Sequence, residues 1–164
     1  MKWYLLVFIL VLTVGCGVVT VPDNTVKVQK PAVTYDAALA QELGADDYGM
    51  RSYVVVILRT GPNDDTVTDE VKRTEIFRGH FNNMRSLAED NQLVLAGPFG
   101  DPSDIRRGLY IFNVKTVEEA QKLVMTDPAV RAGIFTPEFS PYYGSAALMQ
   151  VNSVHKRIAK SNPG

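Results

Sequence analysis

The segment YVVVIL, Tyr53 to Leu58, constrains the fold more than any other stretch of the chain. In a strand, successive side chains point to opposite faces, so Val54, Val56 and Leu58 share one side and Tyr53, Val55 and Ile57 the other. Apolar residues on both sides demand cover on both. The segment therefore belongs inside a sheet, and a single layer of helices cannot bury it completely.

The flanking pattern supplies the rest of that sheet. SYVVVILRTG closes on GPNDD, a strand running into a turn. Next, TDEVKRTEIFRGHFNNMRSLAEDN carries Ile76, Phe77, Phe81, Met84, Leu87 and Ala88 at spacings of three and four, which marks one buried helical face. QLVLAGPFG and RRGLYIFNV read as two further strands. TVEEAQKLVMTD opens with Thr116 as an N-cap and Glu119 three residues on, the spacing of a capping box, and its helix ends before Pro128. GIFTPEFSPYY is a fourth strand, whose two prolines place it at an edge or a bulge. The order is β-α-β-β-α-β, the split βαβ or ferredoxin-like arrangement of an α+β fold. Both helices then cover one face. A second copy packed sheet against sheet would cover the other, so a homodimer is expected; the C-terminal GSAALMQVNSVHKRIAKSNPG is the alternative cover.

The N-terminus reads separately. MKWYLLVFILVLTVGC has one early lysine, an apolar run from Leu5 to Leu12 and small residues ending at Cys16. The run falls short of the roughly 20 residues a bilayer-spanning helix needs and suits a secretory signal peptide. LTVGC resembles a bacterial lipobox, and the resemblance implies that Cys16 is the lipidated N-terminus of an exported, envelope-anchored protein. Cys16 is the only cysteine, so no intrachain disulfide is possible. Residues 1–15 are thus expected to be a signal peptide and 16–34 a flexible tether. A short lead helix over 35–50, stopped by Gly44, a folded domain over 51–150 and a tail over 151–164 complete the expected organisation.

Of the side chains suited to chemistry, His80 stands out. It lies on or beside the buried helical face, four residues from both Ile76 and Met84. Imidazole titrates near neutrality and suits proton transfer, while a packed core histidine is the competing reading. Asp101, after the AGPFG turn, and Asp127, in MTDPAVRAG, are its candidate carboxylate partners, although each also suits an ordinary turn or helix cap. Sequence spacing does not choose between them. Arg78, Arg85, Arg106, Arg107 and Arg131 could meet an anionic ligand, and Tyr110, Tyr142 and Tyr143 could line a cleft. His80 and His155 lack the paired spacing of a zinc site, so no metal is expected. AGPFGD lacks the lysine of a phosphate loop, and Ser145 lacks a nucleophile-elbow context. The net charge is −1 with no basic stripe, which argues against nucleic acid as a partner.

GHFNNMRSLAEDNQLVLAGPF, GLYIFNVKTVEEAQKLVMTDPAVRAGIF and PYYGSAALM together resemble the YCII-related (YciI-like) family over about Arg51 to Met149. The lead GADDYGMRSY is similar to secreted or lipid-anchored bacterial members. The resemblance implies a dimeric α+β barrel and a cleft between helices and sheet holding a His–Asp pair. Its matching positions here are His80 and Asp127; Asp101, Arg131 and Tyr110, read from the residues themselves, are the candidate substrate contacts. One branch of the family is similar to dehydrochlorinases of chlorinated hydroxyquinols, and the wider superfamily includes muconolactone isomerase. The implied activity is cofactor-free proton transfer, as isomerisation or HX elimination, on a small carbonyl, enol or phenolic compound. The competing expectation is an envelope protein that binds a small ligand or another protein without turnover.

Overall fold

The computed structural model describes residues 34–101 and 103–161. The expected signal peptide, the lipidation site Cys16 and nearly all of the tether lie outside them. Among the described residues no helix is long and apolar enough to cross a membrane. From Tyr35 onward the chain forms one compact unit.

Among the described residues ten elements follow one another: α1 (Ala37–Glu42), β1 (Met50–Thr60), α2 (Glu70–Glu89), β2 (Leu93–Pro98), β3 (Arg106–Phe112), α3 (Val117–Val124), α4 (Pro128–Arg131), β4 (Phe135–Ser145), a 3-10 turn (Ala146–Gln150) and α5 (Val151–Ile158). The four strands form one antiparallel sheet in the order β2-β3-β1-β4. This is the ferredoxin-like topology of an α+β fold, with β1 interior as its two-sided apolar pattern requires. β4 pairs with β1 from Met50↔Ser145 to Thr60↔Phe135. Its Pro137 and Pro141 are tolerated because β4 is an edge strand.

Val54, Val56 and Leu58 are buried against α2 and α3, together with Leu87, Phe112, Ala120 and Val124. Each such side chain stabilises the fold by about 1.5–3 kcal/mol relative to exposure. The capping box is formed as the spacing predicts: Thr116 accepts from Glu119 N–H, and Glu119 accepts from Thr116 N–H. On the opposite face Tyr53, Val94 and Ile111 form a second cluster. A register shift between Leu93 and Leu95 turns Val94 and Leu95 together toward that cluster.

The C-terminal segment supplies part of the second cover. Leu148 and Met149 of the 3-10 turn pack on the Tyr53 cluster, and residues 151–158 of the expected tail form a helix. Val55, Ile57 and Leu109 remain half-buried on this face. The lead segment is also fastened to the domain, so the folded unit begins before Arg51. Arg51 donates to Leu43 O (2.7 Å) and to Asn113 Oδ1 (2.5 Å), and Tyr143 donates to Asp46. Gly44, at φ +63°, takes the left-handed conformation that ends α1.

Candidate active site

α2 presents His80 from its buried face, among the rings of Phe77, Phe81, Phe135 and Tyr110 at centroid distances of 5.3–6.3 Å. A polar ring in such surroundings needs a partner. His80 Nδ1 lies 2.8 Å from Asp127 Oδ2. His80 is 7 % exposed and Asp127 0 %.

Local chemistry puts Asp127 there. α3 ends at Val124, and Pro128 opens α4 at its first position, where a missing N–H costs nothing. Asp127 is the N-cap of α4, its Oδ1 accepting from Ala129 N–H at 2.9 Å. The cap and the histidine contact use different oxygens of one carboxylate, so the turn-forming role and the site role coexist. Close approach of α4 to α2 also depends on Gly79. A Cβ at that position would stand 2.8 Å from Pro128 Cγ, inside contact distance of a rigid ring.

Tyr110 completes the cluster from β3. Its hydroxyl donates to Asp127 Oδ2 at 3.0 Å and lies 3.3 Å from His80 Nδ1. Burial, then the Asp127 charge, then this hydrogen bond push the phenol far above the ordinary tyrosine range, so it remains a donor at any physiological pH. Two donors thus converge on Oδ2. With Nδ1 directed at the carboxylate, Nε2 is the ring atom left for a reacting group.

The other candidates lie elsewhere. Asp101 is exposed, and its carboxylate accepts from Ser103 Oγ and N–H, which hold it below the usual carboxylate range. It is a loop-forming residue, and the carboxylate that meets His80 is Asp127. Arg131 is exposed in the last turn of α4. Tyr110, at 2 % exposure, is a buried partner of Asp127 rather than a cleft-lining contact. Among the described residues no group of three or more His, Cys, Asp and Glu side chains is arranged to hold a metal ion.

Sequence reasoning missed Asn83, one turn after His80 on α2. Its Oδ1 accepts from Thr126 Oγ1 at 2.8 Å, while its Nδ2 is buried without a hydrogen-bond partner. The signal available was position alone: three residues on from His80, the amide shares its helical face.

The model of the YCII-related domain matches residues 53–137. No curated protein matches the chain. Among solved structures it is similar to 5-chloro-2-hydroxyhydroquinone dehydrochlorinase from Burkholderia phenoliruptrix, in complex with 2,5-dihydroxybenzoquinone. The identity is 15%, the TM-score 0.39, and the match covers 55% of this chain and 91% of that one.

Proposed function

Because this chain belongs to the YCII-related family, we propose that it is a cofactor-independent proton-transfer enzyme in which His80 is the acid–base group and Asp127 its orienting carboxylate. The observation that carries this reading is the 2.8 Å contact between His80 Nδ1 and an Asp127 carboxylate already fixed by Ala129 N–H. An imidazole with Nδ1–H held in this way has its Nε2 lone pair free to act as a base. Nε2 takes a proton from the sp3 carbon beside a carbonyl, including that of a phenol's keto tautomer, and the C–H pair becomes an enolate. In an isomerisation the imidazolium returns that proton to another carbon of the same system. In an HX elimination the electron pair forms the new double bond, the C–X bond breaks, and X leaves as the anion while Nε2 later releases the proton to water. Asp127 stabilises the imidazolium in both, and Tyr110 keeps the carboxylate in place. The rings of Phe77, Phe81, Phe135 and Tyr110 pack around His80, and the substrate class proposed is a small carbonyl, enol or phenolic compound.

Solvent-deuterium incorporation by the full-length chain, across lactones, enols and halogenated phenols, tests this. His80→Ala should lower turnover of any active compound by at least about 100-fold with the fold retained. Turnover that survives the substitution removes His80 from the chemistry.

A second reading, ligand binding without turnover, draws on the near-complete burial of the pair. It expects ligand affinity to be unchanged by His80→Ala and Asp127→Asn.

Two further parts of the proposal concern where the protein works. We infer export and lipid anchoring through Cys16, supported by the LTVGC motif. Cys16→Ser should abolish labelling by a radioactive fatty acid, and persistent labelling would exclude that anchor. We also infer a homodimer formed sheet against sheet, supported by half-buried Val55, Ile57 and Leu109 beside the area that the 3-10 turn covers. Light scattering of Leu109→Glu should then report a monomer; an unchanged mass for both proteins would reject this interface.

A further inference from the structure

Helix α5 lies beyond the matched domain, which ends at residue 137. It is fixed to edge strand β2 by Asn152 Nδ2, which donates to Leu93 O at 2.8 Å. Between α5, β2 and the C-terminal half of α2 lies a groove of about 430 Å3, within the range of roughly 300–1,000 Å3 typical of small-molecule sites. Its apolar walls come from Phe81 and Met84 of α2, Leu93 and Leu95 of β2, and Val151 of α5. Val151 and His155, four residues apart, present one face of α5 to it.

The charged groups of the lining are unequal in sign: Arg85 and Lys156 against the single carboxylate Glu89, with the His155 ring beside them. Arg85 Nη1 donates to Asn82 Oδ1 at 3.2 Å, which leaves Lys156 and His155 as the donors that α5 itself brings. An apolar interior favours a water-averse body, and a cationic margin favours one anionic head. An uncharged ligand gains nothing from that margin, and a cation meets repulsion from it.

We propose that this groove is a binding site for a small amphipathic carboxylate, with its apolar body between Met84, Leu95 and Val151 and its carboxylate paired with Lys156. The site is separate from the His80–Asp127 pair, neither of which lines it. The added helix therefore gives this chain a ligand site that the matched domain does not build alone.

A methyl NMR titration of the full-length chain tests the site with three probes of one body and three heads: 4-phenylbutyrate, 4-phenylbutan-1-ol and 4-phenylbutylamine. The carboxylate should shift the methyls of Met84, Leu95 and Val151 saturably, and bind several-fold more tightly than the alcohol and more tightly again than the amine. Lys156→Glu, at an exposed position, should weaken the carboxylate by about tenfold, as charge reversal at a solvated pair allows, and leave the alcohol unchanged. Ala96→Trp, which fills the groove, should abolish binding of all three. The proposal is overturned if these methyls do not move, if the three heads bind alike, or if the carboxylate is insensitive to both substitutions.

Discussion

The carboxylate of Asp127 divides its work between its two oxygens: Oδ1 caps α4 through Ala129 N–H, and Oδ2 receives His80 Nδ1 and the Tyr110 hydroxyl. One buried side chain thus joins α2, β3 and α4. Asp127→Ala removes the acceptor of three buried donors and should destabilise the fold by about 3–5 kcal/mol. Asp127→Asn retains an acceptor for the cap and should cost about half as much. Urea denaturation of both variants measures the difference, and equal losses would show that the two oxygens do not act separately.

The same contact fixes the tautomer of the neutral His80 ring, placing the proton on Nδ1. Long-range 15N–1H correlation spectra should show the Nδ1–H form in the native protein. In Asp127→Ala, where that acceptor is gone, the Nε2–H form should gain population.

Gly79→Ala sets two effects of opposite sign against each other. Alanine improves helix propensity by about 1 kcal/mol. The new Cβ would stand 2.8 Å from Pro128 Cγ, and relieving such overpacking costs about 1–3 kcal/mol. A net loss of about 1 kcal/mol is expected, with a weaker Nδ1–H signal because the Asp127–Pro128 turn moves off α2. A rise in melting temperature would mean that α4 yields freely.

Tyr110→Phe should cost about 1–2 kcal/mol near neutral pH, because Oδ2 loses one donor. The pH dependence has a definite sign. The folded-state pKa of Tyr110 is raised, so its contribution is complete below the unfolded value of about 10 and declines as pH rises above that, by up to about 1.4 kcal/mol per pH unit. Tyr53 is raised too, chiefly by burial, but it is present in both proteins and cancels. The stability gap between wild type and Tyr110→Phe should therefore narrow from pH 10 upward in denaturation series. A constant gap would mean that the phenol ionises in the folded protein as readily as in the unfolded chain.

Arg51 holds the lead segment through Leu43 O and Asn113 Oδ1. Arg51→Ala should cost about 1–3 kcal/mol and speed amide exchange over α1 more than in the sheet. Uniform acceleration would instead make α1 part of the global unfolding unit.

The chain's local patterns were sufficient for the β-α-β-β-α-β order, though not for α5. The two-sided apolar run of β1, the three-and-four spacing of α2 and the Thr116–Glu119 box are short-range signals, because each records a preference of neighbouring residues for one backbone geometry. Fold class followed from them through general rules of connection. From residue patterns the candidate site was legible as an imidazole and two possible carboxylates, and only the family resemblance pointed to Asp127. His80 and Asp127 are 47 residues apart, and no periodicity spans that interval. Tertiary packing chose Asp127 over Asp101, because only the α3–α4 turn meets α2, at Gly79. It also turned Tyr110 inward as a donor to that carboxylate, left Asn83 Nδ2 buried without a partner, and laid α5 along β2 to wall a groove. Burial and long-range approach made those assignments, and they arise only when β3, α2 and the C-terminal helix occupy one structure.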